Sequence, residues 1–334
     1  MATVLVTGAT GQDGSYLCES LAVEGAEVHA LLRPPADGEP EEPGLAELVA
    51  AVPDVMLHEV DLADTAALAR VVAEIAPDEV YNFAAISSVA ISWERPVLTG
   101  LVSGLSVAAL LQSAWDVSEQ TGRHVRFLQA SSAEIFGDAA QVPQNESTPV
   151  RPRTPYGAAK AYAHHMVGVY RARGLHASAV ILYNHESPRR PPTFVTRKIT
   201  QGAARIAAGL DRTLTLGSLD VQRDWGWAPD YVVAAVAAVR HDVPDDYVIA
   251  TGVPHSVADF VAAAFARVGI SDWRPYVTTD PAFVRPVDVS VQVGNAEKAR
   301  RVLSWEPTTD FEGLVAAMVD HDLALLGARP SARP

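Results

Sequence analysis

The sequence predicts an α/β protein: a doubly wound, mainly parallel sheet followed by a smaller α+β lobe. Short apolar runs rich in β-branched residues alternate with helix-like segments, and the pattern becomes less regular after Asn184. Alternating strands and helices form a parallel sheet that is covered by helices on both faces. The chain has 334 residues, of which 49% are apolar and 20% are charged. This size and composition fit two lobes with a sizeable core.

The order of strands and helices divides the chain into two parts. The predicted strands are Val4–Thr7, Glu27–Leu32, Val55–Val60, Glu79–Phe83, Val125–Gln129 and Ala177–Leu182, and the helices between them are Ser15–Glu24, Thr65–Ile75, Val97–Gln120 and Tyr156–Arg173. Later elements are a helix at Lys198–Ala208, a strand at Tyr247–Thr251, and helices at Val257–Val268 and Phe311–Leu326. We expect a first domain at 1–183, with elements returning from the C-terminal half, a lobe at 184–326 and a frayed tail at 327–334.

Composition and charge exclude several classes of protein. The only cysteine, Cys18, excludes an internal disulfide framework and a multi-cysteine zinc site, and we expect no bound metal. With 26 basic and 40 acidic residues, the formal net charge is −14, which disfavours a general nucleic-acid binder. No basic stretch precedes the apolar run that begins at Val4. We therefore expect no signal peptide and a cytoplasmic protein.

The segment Val97–Trp115 carries no charged residue and contains Gly100 and Gly104 in a GxxxG spacing. Such a segment is either a transmembrane helix or a buried helix packed between a sheet and a partner subunit. Its glycine, serine, threonine and glutamine residues lower its apolar content, and no second candidate span follows it. We therefore predict the buried helix and no association with a membrane.

Basic residues are concentrated in one part of this acidic chain. Between Ser187 and Arg223 there are seven basic residues against two acidic ones, a local charge of +5. This basic cluster consists of Arg189, Arg190, Arg197, Lys198, Arg205, Arg212 and Arg223. It is either a solvated face or a site that neutralises a small polyanion such as a diphosphate.

A glycine-rich turn, TGATGQDG at Thr7–Gly14, lies between the first strand and the first helix. Glycines let the backbone approach a pyrophosphate, and a helix N-terminus supplies free N–H groups to bind it. The spacing GxxGxxG is that of short-chain dehydrogenases, and it predicts a Rossmann domain that binds a dinucleotide. The second strand is followed by Arg33 instead of an acidic residue. Arg33 either contacts the 2′-phosphate of NADP or is an ordinary surface arginine, so NADP is favoured and NAD stays possible.

Two further segments carry side chains suited to proton transfer. Tyr156 and Lys160 are four residues apart on one helix face, and we expect the ammonium to lower the pKa of the phenol so that it acts as a base. Ser132 and Glu134 follow the fifth strand, whose C-terminal end faces the ligand crevice of such a sheet. Ser132 could hydrogen-bond a reacting hydroxyl. Glu134 is either a base for a sugar carbon or a structural carboxylate.

Longer stretches resemble the GDP-mannose 4,6-dehydratase family of extended short-chain dehydrogenases. They follow the order of that family from about residue 3 to residue 320: TGATGQDGSYL (7–17), QASSAEIFG (129–137), RPRTPYGAAKAYA (151–163), NHESPRRPPTFVTRKIT (184–200), LGSLDVQRDWGWAPDYV (216–232), YVIATGVPHSV (247–257) and RPVDV (285–289). The glycine turn and YxxxK mark only the superfamily. NHESPRR, FVTRKI and RDWG are specific to this branch.

The resemblance implies an NADP-binding domain, a lobe that holds a GDP-sugar, and a role for each matching residue. The implied catalytic residues are Ser132, Glu134, Tyr156 and Lys160. The residues implied around the cofactor are Gly8, Thr10, Gly11, Gln12, Asp13, Gly14, Arg33, Asp61, Leu62, Ala84, Ala85, Ser87, Tyr156, Lys160, His185 and Arg190. The residues implied to hold the substrate are Ser88, Glu134, Asn184, Lys198, Arg223 and Arg285.

The implied reaction is an internal redox dehydration of GDP-mannose to GDP-4-keto-6-deoxymannose. Tyr156 would remove the C4 hydroxyl proton as hydride leaves C4, and Glu134 would take the C5 proton and assist the loss of water from C6. The hydride would then return to C6. A related nucleotide-sugar dehydratase, epimerase or decarboxylase is the alternative enzyme. A catalytically silent nucleotide-binding regulator is the alternative from another class.

The chain departs from the family pattern at three places. AAISSV at Ala84–Val89 stands where the family has AAQSHV, and Leu98 stands where a tyrosine is usual. The acidic, proline-rich loop Pro34–Pro43 replaces a serine-rich loop that bridges subunits in the family. This change leaves a tetramer open. Val97–Gln120 and Tyr156–Arg173 are apolar on more than one face, so we expect a homodimer formed through these two helices.

Overall fold

A seven-stranded parallel sheet forms the centre of the protein. The structure is a computed structural model that describes residues 1–35, 42, 44–283, 289 and 291–327. Its strands are β1 (Thr3–Thr7), β2 (Glu27–Leu32), β3 (Met56–Glu59), β4 (Glu79–Asn82), β5 (Arg126–Ser132), β6 (His176–Leu182), β7 (Asn184–Glu186), β8 (Leu214–Leu216), β9 (Gln222–Trp227), β10 (Asp246–Ile249), β11 (Pro254–Ser256), β12 (Val277–Thr279) and β13 (Val291–Gln292). The central sheet has the order β10-β6-β5-β4-β1-β2-β3.

Helices cover both faces of this sheet. They are α1 (Gln12–Val23), α2 (Leu45–Ala51), α3 (Thr65–Ile75), α4 (Val89–Glu94), α5 (Pro96–Gly100), α6 (Ser106–Thr121), α7 (Pro155–Arg173), α8 (Val195–Ala207), α9 (Ala228–Arg240), α10 (Val257–Arg267), α11 (Glu297–Leu303) and α12 (Phe311–Leu325). One apolar core includes side chains of α1 and α9, and a second, on the other face, includes side chains of α3, α6 and α7. The predicted doubly wound parallel sheet is confirmed.

The strand predicted at Tyr247–Thr251 belongs to the central sheet and not to the smaller lobe. Asp246–Ile249 pairs in parallel with Ala179–Leu182 of β6, so β10 is an edge strand of the large sheet. The chain leaves this sheet after β6, forms β7 to β9, and returns through α9. A short apolar run indicates a strand but does not specify which sheet it joins.

The apolar segment considered as a membrane span lies in the helical layer on the central sheet. Pro96–Thr121 is long and apolar enough to cross a membrane, and half of its most apolar window is buried inside the protein. It consists of α5, a π-helical turn at Leu101–Leu105, and α6. Val107, Leu110 and Leu111 pack into the core that α3 and α7 share. One face of this segment is therefore buried against the central sheet, as in a helix of a doubly wound domain.

The second part of the chain builds a smaller lobe next to the C-terminal ends of β5 and β6. In the described residues β9 pairs with β7, β11 and β13, and β8 pairs with β12. Helices α8, α10 and α12 enclose an apolar core that contains Trp225, Phe260 and Leu314. Of the tail that was expected to fray, only Gly327 lies within the described residues. Most of the loop at 34–43 also lies outside them.

Candidate active site

The predicted dinucleotide turn is a tight loop in which two glycines are required by their surroundings. Gly8 has a φ of +71°, and a Cβ there would lie 2.8 Å from the backbone nitrogen of Ala84. A Cβ on Gly14 would lie 2.1 Å from the carbonyl oxygen of Gly8. Gly11 caps α1 with no side-chain hydrogen bond, so no side chain occupies the first N–H groups of the helix. This geometry fits a pyrophosphate group.

Asp13 in the first turn of α1 forms an ion pair with His185 of β7. His185 Nδ1 lies 2.7 Å from the carbonyl oxygen of Tyr183, and its Nε2 lies 2.9 Å from both oxygens of Asp13. Because a carbonyl only accepts, Nδ1 carries hydrogen, and the second nitrogen faces a carboxylate. The two side chains therefore lie at ion-pair distance. Burial opposes ionisation of Asp13, but His185, Arg190 and Gln12 outweigh it and hold the pKa of Asp13 below its usual value.

Further hydrogen bonds tie the glycine turn to β7 and the residues after it. The amide of Gln12 donates to the carbonyl of His185 at 3.1 Å and accepts from the hydroxyl of Ser187 at 2.9 Å. Arg190 also donates to the His185 carbonyl, and it pairs with Glu186 at 2.7 Å. Gln12, Asp13, His185 and Arg190 therefore form one polar cluster, as expected if they share a ligand.

Ser132, Glu134, Tyr156 and Lys160 come together where β5 ends and α7 begins. Ser132 hydrogen-bonds with Tyr156, and its Oγ also accepts from the backbone nitrogen of Glu134 at 3.2 Å. The start of α7 packs closely on this segment, because a Cβ on Gly157 would lie 2.6 Å from the carbonyl oxygen of Glu134. The ammonium of Lys160 lies 5.9 Å from the centre of the Tyr156 ring. The chain thus brings a hydroxyl, a carboxylate, a phenol and an ammonium to one place.

The pKa values of this group correct one expectation from the sequence. Burial raises the pKa of Tyr156 to about 12, and the Ser132 hydrogen bond only partly offsets it, while Glu134 adds to the rise. Burial also lowers the pKa of Lys160 to about 8. The expected lowering of the tyrosine pKa is therefore wrong for the protein alone. Both side chains lie in a region of low polarity, which favours their neutral forms.

The remaining predicted cofactor residues lie along the C-terminal edge of the sheet. Ala84 donates its N–H to Thr7 at 3.1 Å and lies against Gly8, with Ala85 next to it. Leu62 packs on the sheet core, whereas Asp61 is exposed and binds the backbone nitrogen of Ala63. Thr10 is half-buried, and the exposed residues of this group further include Gly11, Arg33 and Ser87. Arg33 directly follows β2, so it stands where the adenosine ribose binds in this type of fold.

The predicted substrate residues lie in different environments. Asn184 is the first residue of β7, and Lys198 in α8 holds its ammonium 4.0 Å from the centre of the Phe283 ring. Arg223 is buried and donates to the backbone carbonyls of Gln222 and Val289, each at 2.8 Å. Ser88 caps α4 by accepting from the backbone nitrogen of Ile91. Arg285 lies outside the described residues.

The basic cluster is not a single cradle for a polyanion. Four of its arginines are paired with carboxylates: Arg189 with Glu19, Arg190 with Glu186, Arg197 with Asp322, and Arg205 with Asp211. Glu19 and Asp322 lie far from residues 187–223 in sequence, and Glu186 directly precedes them. A net charge counted along the sequence therefore overstates the positive charge that a ligand would meet.

Sequence reasoning missed the buried carboxylate of Asp224 and the buried ion pair that Arg197 forms with Asp322. Asp224 accepts from the backbone nitrogens of Thr251, Gly252 and Gly294, at 2.8 Å, 2.8 Å and 3.2 Å. Burial nevertheless raises the pKa of Asp224. Arg197 and Asp322 form a buried pair at 2.7 Å between α8 and α12. Asp224 lies inside the RDWG stretch, so that motif was a signal for it, whereas 125 positions separate Arg197 from Asp322.

Comparisons with known proteins extend over nearly the whole chain. The sequence profile of the family described as GDP-mannose 4,6 dehydratase matches residues 5–318. The chain is 44% identical over 327 residues to GDP-mannose 4,6 dehydratase 2 of Arabidopsis thaliana, covering 96% of this chain and 87% of the relative. It is 39% identical over 353 residues to GDP-mannose 4,6 dehydratase of Homo sapiens, covering 98% and 93%.

A solved structure has the same architecture. UDP-glucose 4-epimerase of Thermus thermophilus, in complex with NAD, is 29% identical to this chain with a TM-score of 0.78, covering 96% of this chain and 98% of that one. The fold is therefore shared with an enzyme of a different reaction, whereas the family profile and the sequence relatives are those of dehydratases. This chain belongs to the GDP-mannose 4,6-dehydratase family.

Proposed function

We propose that this protein converts GDP-mannose to GDP-4-keto-6-deoxymannose, using Ser132, Glu134, Tyr156 and Lys160. Membership of the family supports the reaction. The observation that carries the assignment of residues is the meeting of Ser132, Glu134 and Tyr156 beside a buried lysine, at the C-terminal end of β5. Simple oxidation of an alcohol needs no second carboxylate. Glu134 gives this site an additional acid and base next to the phenol.

Each of the four side chains has a proposed role in the reaction. Tyr156 takes the proton of the C4 hydroxyl, and Ser132 holds that hydroxyl by a hydrogen bond. Glu134 removes the proton from C5, which the neighbouring ketone has acidified, and then protonates the departing C6 hydroxyl as water. Lys160 stabilises the phenolate form of Tyr156. A nicotinamide dinucleotide bound here would supply the hydride acceptor for C4 and the hydride donor for C6. Tyr156, which holds the proton of the C4 hydroxyl, returns a proton to C5 in the last step, so protons and electrons both balance within one turnover.

The glycine turn and the Asp13–His185 pair support a nicotinamide dinucleotide as the cofactor, since the turn fits a pyrophosphate. We infer that NADP is preferred over NAD, because Arg33 follows β2 at a position where an acidic residue would repel a 2′-phosphate. A single arginine provides a modest preference, and NAD remains a second cofactor in the proposal. The other proposed contacts are Gly8, Thr10, Gly11, Gln12, Gly14, Asp61, Leu62, Ala84, Ala85, Ser87 and Arg190.

The nucleotide part of the substrate is proposed to bind in the smaller lobe. Asn184 begins β7, directly after β6, and Lys198 lies in α8; both side chains can donate to a diphosphate. Arg223, whose guanidinium is buried and donates to the backbone carbonyls of Gln222 and Val289, is included from the family resemblance. Arg285 and Ser88 are included from the family resemblance. With this substrate class we propose a cytoplasmic enzyme of nucleotide-sugar metabolism.

A homodimer is proposed from an exposed apolar face. Side chains of α4, α5, the π-helical turn and α7 present this face, which we call the α4–α7 face: Ile91, Trp93, Val97, Leu98, Leu105, Tyr162 and Val169. Val97 is 76% exposed and Val169 is 58% exposed. Exposed apolar residues concentrated on adjacent helices are typical of a subunit interface. The predicted helices Val97–Gln120 and Tyr156–Arg173 both contribute to it.

Product analysis tests the proposed reaction. Purified protein and NADP are incubated with GDP-mannose and, in separate reactions, with other nucleotide-hexoses. The products are followed by mass spectrometry. We expect loss of one water from GDP-mannose and no net production of NADPH. A product of unchanged mass that separates from the substrate by chromatography would indicate an epimerase. Loss of carbon dioxide from a nucleotide-linked uronic acid would indicate a decarboxylase. Cofactor binding with no turnover of any sugar would indicate the silent regulator.

A further inference from the structure

Three buried polar side chains form a row across the central sheet, on the face that α7 covers. Thr7 of β1 lies opposite Asn82 of β4, and Asn82 lies opposite Gln129 of β5. Their exposed fractions are 0%, 1% and 0%. Two residues earlier on β1 and β5, the same face carries Leu5 and Phe127 of the apolar core. Polar groups buried this deeply need hydrogen-bond partners, and here each finds one in the row.

The hydrogen bonds of this row all run in one direction. Ala84 donates its N–H to Thr7 at 3.1 Å, and the hydroxyl of Thr7 donates to Asn82. The amide of Asn82 donates to Gln129 at 2.7 Å, and the amide of Gln129 donates to the carbonyl oxygen of Ala130 at 2.8 Å. Bonds aligned in this way polarise one another. The row therefore has a defined end, the carbonyl of Ala130.

The same carbonyl holds the catalytic lysine. Lys160 Nζ donates to the Ala130 oxygen at 2.8 Å, and Lys160 is 3% exposed. Ala130 lies two residues before Ser132 on β5, so its carbonyl is part of the strand that ends in the proposed site. One carbonyl thus receives both the terminal donor of the row and the ammonium that faces Tyr156.

We propose that Gln129 is a positioning residue for the reaction: by fixing the Ala130 carbonyl, its amide sets the position of the Lys160 ammonium relative to Tyr156. The inference rests on the roles proposed above for Lys160 and Tyr156. The other charged groups that act on this pair are Asp13 at the start of α1, Glu134 after β5 and Arg190 after β7. Substituting Gln129 changes none of these charges.

The substitution Gln129→Met tests this role, since it keeps the length of the side chain and removes the amide donor. The Ala130 carbonyl then loses the side-chain donor of residue 129, and the ammonium is held less well beside the phenol. Phenolate is stabilised less, so Tyr156 needs a higher pH to act as a base. We expect the acid limb of kcat/KM to move up by about 0.5–1 pH unit, and kcat/KM near neutral pH to fall about tenfold.

The chain offers a matched control in Gln144. This glutamine is 1% exposed and accepts from the hydroxyl of Tyr183 at 2.6 Å, and its backbone pairs with Gly294 away from the row. Gln144→Met also removes a buried amide. Its stability can fall as much as that of Gln129→Met, but its acid limb should stay at the wild-type pH. Thermal unfolding of each variant sets a temperature at which all are folded.

A second variant decides the question if Gln129→Met does not fold. Gln129→Leu also removes the amide donor to the Ala130 carbonyl, and like Gln129→Met it adds no charge near Tyr156 or Lys160. The acid limb should again move to higher pH. A wild-type acid limb in a folded Gln129 variant overturns the proposal, as does an equal shift in Gln144→Met.

The variant Tyr156→Phe separates this inference from the proposed function. If Tyr156→Phe keeps near wild-type turnover, the proposed site is wrong and the positioning role is wrong with it. If Tyr156→Phe is inactive and Gln129→Met has the wild-type pH profile, only the positioning role is overturned.

Discussion

Asp13 places a negative charge beside the glycine turn, and the neighbouring His185 and Arg190 compensate it. Its carboxylate would repel a pyrophosphate at the start of α1, but His185 pairs with it at 2.9 Å and Arg190 lies close enough to lower its pKa. The ring of His185 also stacks on Tyr231, with ring centres 4.6 Å apart. The positive charges thus neutralise Asp13 and fix β7 to the glycine turn. One ion pair therefore joins the cofactor half of the site to the segment that opens the smaller lobe.

The clearest prediction for a single residue concerns Glu134. Glu134→Gln keeps size and hydrogen bonding but removes basicity, so it should bind the dinucleotide normally and lose turnover by about 10² or more. Calorimetry measures the binding of the dinucleotide, and the rate of product formation from GDP-mannose measures turnover. Glu119→Gln, a change on the surface of α6, is the control and should behave like wild type. Near wild-type dehydration by Glu134→Gln would make Glu134 a structural carboxylate.

Arg33 carries the prediction on cofactor choice. A charge-assisted contact between arginine and phosphate contributes about 1.5–3 kcal/mol, so Arg33→Ala should weaken NADP binding about tenfold or more and leave NAD binding nearly unchanged. Arg70→Ala removes an exposed arginine from α3 and should change neither affinity. If wild-type protein stripped of cofactor binds NAD as tightly as NADP in calorimetry, Arg33 is an ordinary surface residue.

At the level of whole elements, α7 contributes both to the proposed active site and to the exposed α4–α7 face. Its first turn carries Tyr156 and Lys160 to the end of β5, and its later turns pack on the sheet and leave Tyr162 and Val169 exposed. The π-helical turn lies against it, because a Cβ on Gly104 would be 3.5 Å from the carbonyl of Ala159. Any partner bound to the α4–α7 face would therefore contact the helix that carries the proposed catalytic residues Tyr156 and Lys160.

The α4–α7 face gives the prediction on assembly. We expect wild-type protein to be a dimer in light scattering at micromolar concentration, since burial of this apolar face drives association. Val97→Glu would place a charge in the interface and should yield a monomer. Val233→Glu substitutes a valine on α9 that is 60% exposed, away from this face, and should remain a dimer. A monomeric wild type would contradict the proposed interface.

At the level of the molecule, the central sheet is well predicted from the sequence because its strands carry a strong local signal. Val4–Thr7 and Glu27–Leu32 are short runs rich in apolar residues, and they occur as β1 and β2 within one residue at each end. The return of β10 to the sheet edge has no such signal, since it depends on a contact between distant parts of the chain. The same is true of β11 and β13, which are too short for a periodic pattern.

The candidate site was predictable as a set of residues but not as an electrostatic environment. YxxxK and the QASSAEIFG stretch indicated which side chains meet, because motif spacing and strand ends determine their positions. The pKa of Tyr156 depends instead on burial, which the sequence does not record. The positive charge of the basic cluster was likewise overestimated, because its partners Glu19 and Asp322 lie far away in sequence. Local patterns identified the groups, and long-range contacts determined their charges.

The central claim is that one hydride leaves C4 of the sugar and returns to C6 of the same molecule. GDP-mannose carrying deuterium at C4 tests it directly, with the position of the label read by NMR of the product. The account predicts a 4-keto-6-deoxy sugar with deuterium at C6, and no label released to water. Product whose C6 carries only hydrogen, or label that appears in the solvent or accumulates on the nicotinamide, would contradict it.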